Sequence, residues 1–169
     1  MSLVFIIGGA RSGKSSFALE LSKGDAVAFI ATALPLDEEM KERIERHKIE
    51  RPSHWKTIEA PEDIMSAIKV VKEDCIILDC LTLWVSNLIE KYPDKHIVEM
   101  AEEIAQYVRS IDKKVIVVSN EVGLSIVPEY PLARRYRDTL GKVNQIFAKL
   151  AQKVYFMVAG IPMEVKNET

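Results

Sequence analysis

The sequence feature that most constrains the fold is a glycine-rich stretch near the N-terminus. It reads Gly8, Gly9, Ala10, Arg11, Ser12, Gly13, Lys14 and Ser15. The apolar run Leu3–Ile7 before it predicts a buried strand, and Ser16–Leu21 after it predicts the opening of a helix. This spacing between strand and helix is that of a P-loop, in which backbone N–H groups cradle phosphates. We expect a nucleoside triphosphate here, with Lys14 at the β- and γ-phosphates and the Ser15 hydroxyl on Mg²⁺.

The rest of the chain alternates between predicted strands and helices. The later strands are expected at Ala26–Ala31, Trp55–Ile58, Cys75–Leu78, Val115–Val118 and Val154–Val158, with a short edge strand at Ile161–Val165. These strands are continuous apolar runs, so both faces of a mainly parallel sheet should be covered by helices. We therefore predict one domain, residues 1–169, with the three-layer α/β fold of RecA-like P-loop NTPases. Its ligands should gather at the carboxyl ends of the strands.

Composition excludes several classes of protein. The 169 residues are 48% apolar and 28% charged, with a net charge of −2. The sequence lacks the excess of basic residues that would favour a nucleic-acid partner. It also lacks an apolar run long enough to span a membrane. The N-terminus shows no signal-peptide pattern, and the two cysteines, Cys75 and Cys80, complete no zinc site. We expect a cytoplasmic protein.

A second phosphate-site element is predicted at the end of the fourth strand. Asp79 directly follows the apolar Ile76–Leu78, as the acid of a Walker B segment does. Such a carboxylate holds Mg²⁺, usually through water, although many strands end in an Asp that merely caps a helix. Glu59 and Glu121 also follow strands and are open to interpretation as a base, a nucleotide contact or a solvated carboxylate.

His47 has two interpretations from pattern alone. It continues the stripe of Met40 and Ile44 on a predicted helix that Asp37 can cap and that runs to about Ile49. A histidine on such a stripe is more often buried among core residues than chemically active. The residues alone therefore favour a structural histidine.

A resemblance to a known family changes this interpretation. The chain resembles the bifunctional adenosylcobinamide kinase/adenosylcobinamide-phosphate guanylyltransferases of cobalamin biosynthesis over essentially its whole length. The matching segments, in order, are Gly8–Ser15, Ile30–Ala33, Arg43–Lys48, Arg51–Trp55, Asn120–Glu129, Leu132–Asp138 and Gly141–Gln145.

The resemblance implies two reactions and a homotrimer. The first moves a phosphoryl group from ATP or GTP to a hydroxyl of adenosylcobinamide. The second transfers GMP from GTP to adenosylcobinamide phosphate through a GMP bonded to a histidine, and His47 matches that position. An imidazole nucleophile would divide one difficult displacement into two easier ones.

Nucleotide contacts are implied in the same way. The positions that match the family's guanine-nucleotide contacts, besides the P-loop, are Thr32, Ala33, Leu34, Lys48, Ile49, Glu50, Arg51, Glu59 and Asp79. Arg134, Arg135 and Arg137 are equally consistent with a contact to the corrinoid's phosphate and with a solvated helix face. Two other hypotheses stay open at this point: a P-loop kinase of another small hydroxyl compound, and a nucleotide-gated regulatory module.

Overall fold

A computed structural model describes residues 2–169, which form one seven-stranded sheet flanked by six helices. The strands are β1 (Ser2–Gly8), β2 (Val27–Ala31), β3 (Lys56–Glu59), β4 (Cys75–Asp79), β5 (Lys114–Asn120), β6 (Lys153–Val158) and β7 (Ile161–Asn167). The helices are α1 (Lys14–Leu21), α2 (Glu38–Glu50), α3 (Ile64–Lys69), α4 (Leu81–Leu88), α5 (Asp94–Ser110) and α6 (Pro131–Leu150).

The sheet has the strand order β3-β2-β4-β5-β1-β6-β7. Every neighbouring pair is parallel except β6 with β7, which closes one edge as an antiparallel hairpin. The predicted three-layer α/β fold with a mainly parallel sheet is therefore confirmed. The carboxyl ends of β1, β2 and β4 lie at the same edge of the sheet, so the loops that follow them meet there.

The central strands are buried on both faces, as their continuous apolar runs predicted. Along β1, Leu3 and Phe5 pack into the larger core cluster with α3, α4, α5 and α6. Val4 and Ile6 point the other way and pack with Phe17 of α1 in a smaller cluster. Since successive side chains of a strand alternate between faces, each of the central strands β1, β2, β4 and β5 contributes to both layers.

The helix α2 lies against the body of the protein without entering its core. Asp37 caps it, as predicted, by accepting a hydrogen bond of 2.7 Å from the Met40 backbone N–H. Such a cap contributes about 1 kcal/mol. No residue of α2 is buried, and the stripe that includes Met40, Ile44 and His47 is only half-buried. Tertiary packing therefore holds this helix only weakly.

Some boundaries differ from those predicted. The helix α3 begins at Ile64, where the Asp63 carboxylate caps it by accepting a hydrogen bond of 3.0 Å from the Ser66 N–H. The strand expected at Val115–Val118 is longer and runs from Lys114 to Asn120, paired with β1 along its whole length. Because the residues at both ends of this strand are polar, the apolar run in the sequence did not indicate the extension. None of the helices within residues 2–169 combines the length and hydropathy needed to cross a membrane.

Candidate nucleotide-binding site

Backbone geometry explains the glycines of the P-loop. Gly13 has φ 93°, a left-handed conformation that side chains disfavour, and a Cβ there would lie 3.0 Å from the Gly160 Cα. A Cβ on Gly8 would lie 2.6 Å from the Ser12 Oγ and 2.9 Å from the Met157 carbonyl oxygen. Arg11 also has a positive φ, of 54°. The loop is thus a tight turn that leads directly into the N-terminus of α1, where anions are stabilised.

The lysine of the P-loop is buried and hydrogen-bonded within the loop. The Lys14 ammonium donates to the Gly9 carbonyl oxygen and, at 3.4 Å, to the Ser12 Oγ. Burial lowers the pKa of Lys14, and the neighbouring Cys80 and Asp79 oppose that shift. A cation held in this way at a helix N-terminus is suited to phosphate oxygens.

Asp79 ends β4 beside the P-loop, as the Walker B interpretation expected. Desolvation raises the pKa of its carboxyl group, and His47, Lys14 and Arg51 act in the opposite direction. These three side chains are therefore close enough to Asp79 to lower the pKa of its carboxyl group. A partly desolvated carboxylate among cations can serve as a water-mediated ligand of Mg²⁺ when phosphates are present.

A narrow cavity lies between α1, the helix that follows the P-loop, and the C-terminal end of α2. Ser15, His47, Glu50, Arg51 and Asp79 all line it. His47 is half-buried here, so the expectation of a buried core histidine is wrong. The structure thus brings the P-loop hydroxyl, the strand-end carboxylate and the imidazole to one place.

Arg51 lines this cavity and lies over an aromatic ring. Its guanidinium carbon lies 4.0 Å from the centroid of Phe29, a cation–π distance. Its Nη2 donates to the Thr57 Oγ1 at 3.4 Å. Burial lowers the pKa of Arg51, with Asp79 opposing. Phe29 is a site residue that sequence reasoning missed, because a phenylalanine inside an apolar strand carries no signal beyond the core.

A second, wider cavity of about 500 Å³ lies beside the first. It is lined by Lys48, Arg51, Pro52, Ser53, Trp55, Thr57 and Glu59. The Lys48 ammonium lies 3.6 Å from the Glu59 carboxylate and 3.7 Å from that of Glu45. This cavity therefore brings together three of the predicted nucleotide contacts: Lys48, Arg51 and Glu59. The indole ring of Trp55, which was not among the predicted contacts, lines the same cavity.

Other predicted contacts lie outside these two cavities. Thr32 is fully buried, and its hydroxyl is bonded to the Cys80 backbone, donating at 2.8 Å and accepting at 2.9 Å. Ala33 and Leu34 follow β2 and are half-buried, whereas Ile49 is 81% exposed on α2. The structure gives Thr32 a role in joining β2 to β4.

The segment after β5 is hydrogen-bonded to the P-loop at its start and to α6 at its end. The Glu121 N–H donates to the Gly8 carbonyl oxygen at 2.9 Å, and its carboxylate accepts from the Gly123 N–H at 2.6 Å. Arg134 donates to the carbonyl oxygens of Pro128 and Glu129 at 2.9 and 2.7 Å. Arg135 pairs with Asp94, and Arg137 pairs with Asp138 at 2.9 Å. All three arginines are thus engaged within the protein.

Comparison with solved structures supports the three-layer α/β fold. The chain superposes on a protein from Pyrococcus horikoshii with a TM-score of 0.58 at 6% identity, covering 99% of this chain and 87% of the other. It superposes on the P4 protein of bacteriophage phi6, solved with ADP, with a TM-score of 0.51 at 13% identity, covering 95% and 52%. These likenesses show a shared α/β fold, and the Gly8–Ser15 loop between β1 and α1 puts the chain in the P-loop class of proteins.

Sequence comparison gives the particular family. The family model for cobinamide kinase/cobinamide phosphate guanyltransferase matches residues 4–165. The bifunctional adenosylcobalamin biosynthesis protein CobP of Pseudomonas aeruginosa is 41% identical over 167 residues, which cover 96% of each chain. The corresponding CobU proteins of Salmonella typhimurium and Escherichia coli are 41% and 39% identical over 181 residues, covering 97% of this chain and 99% of each relative. The chain belongs to this family of enzymes.

Proposed function

We propose that this enzyme phosphorylates adenosylcobinamide and then transfers GMP from GTP to the resulting phosphate through a covalent bond to His47. One observation carries the proposal: Ser15 of the P-loop, His47 and Asp79 line the same cavity in a chain of this family. Family membership favours this function over a kinase of another small hydroxyl compound and over a regulatory module.

In the kinase reaction, the acceptor hydroxyl oxygen bonds to the γ-phosphorus of ATP or GTP. The bond from that phosphorus to the β,γ-bridging oxygen breaks, the nucleoside diphosphate leaves and the hydroxyl proton passes to solvent. Lys14 and the N–H groups of the P-loop stabilise charge on the transferred group. The Ser15 hydroxyl and, through water, Asp79 are the residues that would hold Mg²⁺, which offsets phosphate charge when bound.

In the guanylyl transfer, the His47 imidazole nitrogen bonds to the α-phosphorus of GTP and pyrophosphate leaves. A phosphate oxygen of adenosylcobinamide phosphate then bonds to the same phosphorus, and the bond to nitrogen breaks. The imidazole is regenerated, so His47 acts twice in each cycle. Arg51 lines the same cavity and would neutralise the α-phosphate once the nucleotide has entered.

The wider cavity is the proposed position of the guanine base. Glu59 and the neighbouring Thr57 offer acceptors for the N–H groups of guanine, and the half-buried Trp55 offers a stacking face. Arg51 lines both this cavity and the narrow one at His47, and Lys48 lines the wider one. A base that occupies it would place the α-phosphate near His47.

Nucleotide entry should require α2 to move. The cavity at His47 is too narrow for a nucleotide, and α2 contributes no buried residue that would resist displacement. The ion pair of Lys48 with Glu59 and the stacking of Arg51 on Phe29 are the contacts to be exchanged. Exposed ion pairs stabilise by only about 0–1 kcal/mol, so exchanging the pair of Lys48 with Glu59 costs little.

The test is product formation with each acceptor separately. Wild type, given Mg²⁺ and GTP, should convert adenosylcobinamide to its phosphate and adenosylcobinamide phosphate to adenosyl-GDP-cobinamide, both identified by mass spectrometry. His47→Ala should lose the second conversion and keep part of the first. Equal loss of both in a folded variant would contradict a separate role for His47. Homotrimer formation and a cytoplasmic location remain predictions, and sedimentation of the purified chain measures the first.

A further inference from the structure

We propose that the β5–α6 loop (residues 121–130) is the surface on which the corrinoid ring of the acceptor docks. This inference rests on the proposed function, since it assumes a cobinamide acceptor. It assigns a binding role to side chains that are neither nucleotide contacts nor core residues.

The loop exposes an unusual concentration of apolar side chains. Leu124 is 79% exposed, Ile126 92%, Val127 64% and Tyr130 72%. Single exposed apolar residues are normal on protein surfaces, but four within seven residues form a patch of the kind that marks a binding site. Such a patch favours a ligand with a broad apolar face.

The patch begins next to the phosphate site. Glu121, the first residue of the loop, donates its N–H to the carbonyl oxygen of Gly8, the first glycine of the P-loop. Leu124 is three residues further on, which limits its distance from Glu121 to about 11 Å of extended chain. A molecule seated on the loop therefore lies beside the nucleotide, and a flexible arm of that molecule can reach the γ-phosphate.

The loop is held in place at both ends, so its exposure is built into the fold. Before it, the Asn120 N–H donates to the Thr82 Oγ1 at 2.7 Å, and Asn144 donates to the Asn120 carbonyl oxygen at 3.2 Å. After it, the bonds from Arg134 to the carbonyl oxygens of Pro128 and Glu129 tie the loop to α6. Preorganised apolar groups bind without the entropic cost of ordering a flexible segment.

The chemistry of the acceptor fits this surface better than a closed pocket would. A corrinoid is a wide macrocycle with largely apolar ring faces, a polar amide periphery and its reactive hydroxyl on a side arm. Leu124, Ile126 and Tyr130 supply apolar contact for a ring face. The surrounding carboxylates and carbonyls, including Glu129, can meet the amides. A second copy of this chain is the competing occupant, and the test separates the two.

The experiment compares the double variant Leu124→Ser/Ile126→Ser with wild type and with Val70→Ser. Val70 is 60% exposed and follows α3, away from this loop, so it controls for loss of an exposed apolar side chain. All three residues are exposed, so the variants should fold. The measurements are KM for adenosylcobinamide phosphate, KM for GTP, labelling of the protein by α-labelled GTP without corrinoid, and sedimentation.

The proposal predicts a rise of about tenfold or more in KM for the corrinoid in the double variant only. KM for GTP, labelling and the sedimentation coefficient should stay at wild-type values. An unchanged corrinoid KM, or a changed oligomeric state that itself accounts for the loss, would overturn the corrinoid surface while leaving the proposed function intact. Failure of wild type to turn over any corrinoid would overturn both.

Discussion

The backbone N–H of Gly160 donates a hydrogen bond of 3.0 Å to the carbonyl oxygen of Ser12 inside the P-loop. The turn between β6 and β7 is thereby joined to the phosphate loop, although the two partners lie near opposite ends of the chain. Gly160 itself has φ 81°, and Ala159 before it has φ 50°. The antiparallel edge hairpin thus supports the P-loop.

This contact makes Gly13 sensitive to substitution. In Gly13→Ala, the left-handed φ and the 3.0 Å approach of the new Cβ to Gly160 should push the P-loop away from the hairpin. We expect nucleotide Kd to rise about tenfold or more and stability to fall by about 1–2 kcal/mol. Titration calorimetry with a GTP analogue and thermal unfolding measure the two effects.

Gly24→Ala is the matched control for this variant. Gly24 has nearly the same φ, 89°, but a Cβ added there would meet no atom within 4 Å. It should lose similar stability and keep wild-type nucleotide affinity. Equal loss of affinity in both variants would show that the hairpin contact is irrelevant to binding.

The sequence predicted the layers and the phosphate loop because both depend on local patterns. The apolar run Leu3–Ile7 predicts a strand that is buried on both faces. The spacing of the glycines, the lysine and the serine predicts the turn of the P-loop into α1. The position of His47 depends instead on how α2 lies against the sheet, which its largely polar sequence does not determine. Likewise, no pattern indicates that Phe29 supports Arg51 or that Gly160 contacts Ser12, because these contacts join residues far apart in the chain.

Loss of the P-loop ammonium should impair both reactions. In Lys14→Ala, phosphate charge loses its buried cation, and we expect both rates to fall by about 10² or more. Lys23→Ala removes an exposed ammonium beyond the end of α1 and should leave both rates unchanged. Steady-state assays with each acceptor give the result. Wild-type rates in Lys14→Ala for either reaction would contradict a shared phosphate site.

Both thiols should be inert in the folded protein near neutral pH. Burial raises the pKa of Cys75 and of Cys80 from 9.0 to about 12, so little reactive thiolate exists near neutral pH. A thiol reagent should modify neither cysteine in native protein and both after denaturation. Since the native state holds these protons more tightly, stability should fall as pH rises from about 9 towards 12. Rapid labelling of native protein near neutral pH would contradict the raised pKa values of these thiols.

Arg134 should affect acceptor binding through the loop it anchors. In Arg134→Ala, the carbonyl oxygens of Pro128 and Glu129 lose their donor, and the exposed loop should become more mobile. We expect a several-fold rise in KM for adenosylcobinamide phosphate and little change in KM for GTP. Arg135→Ala removes a comparable set of bonds, to Asp94 and Tyr92, and should leave the acceptor KM unchanged. An acceptor KM that rises equally in both variants would point to general loosening of α6.

The most direct test of the central claim, the covalent role of His47, needs no corrinoid. Wild type and His96→Ala, whose histidine is exposed on α5, are incubated with Mg²⁺ and GTP labelled at the α-phosphate, then quenched in denaturant. Our account predicts acid-labile, alkali-stable label on both proteins and none on His47→Ala. Absence of label on folded, GTP-bound wild type, or its persistence on His47→Ala, would contradict the account.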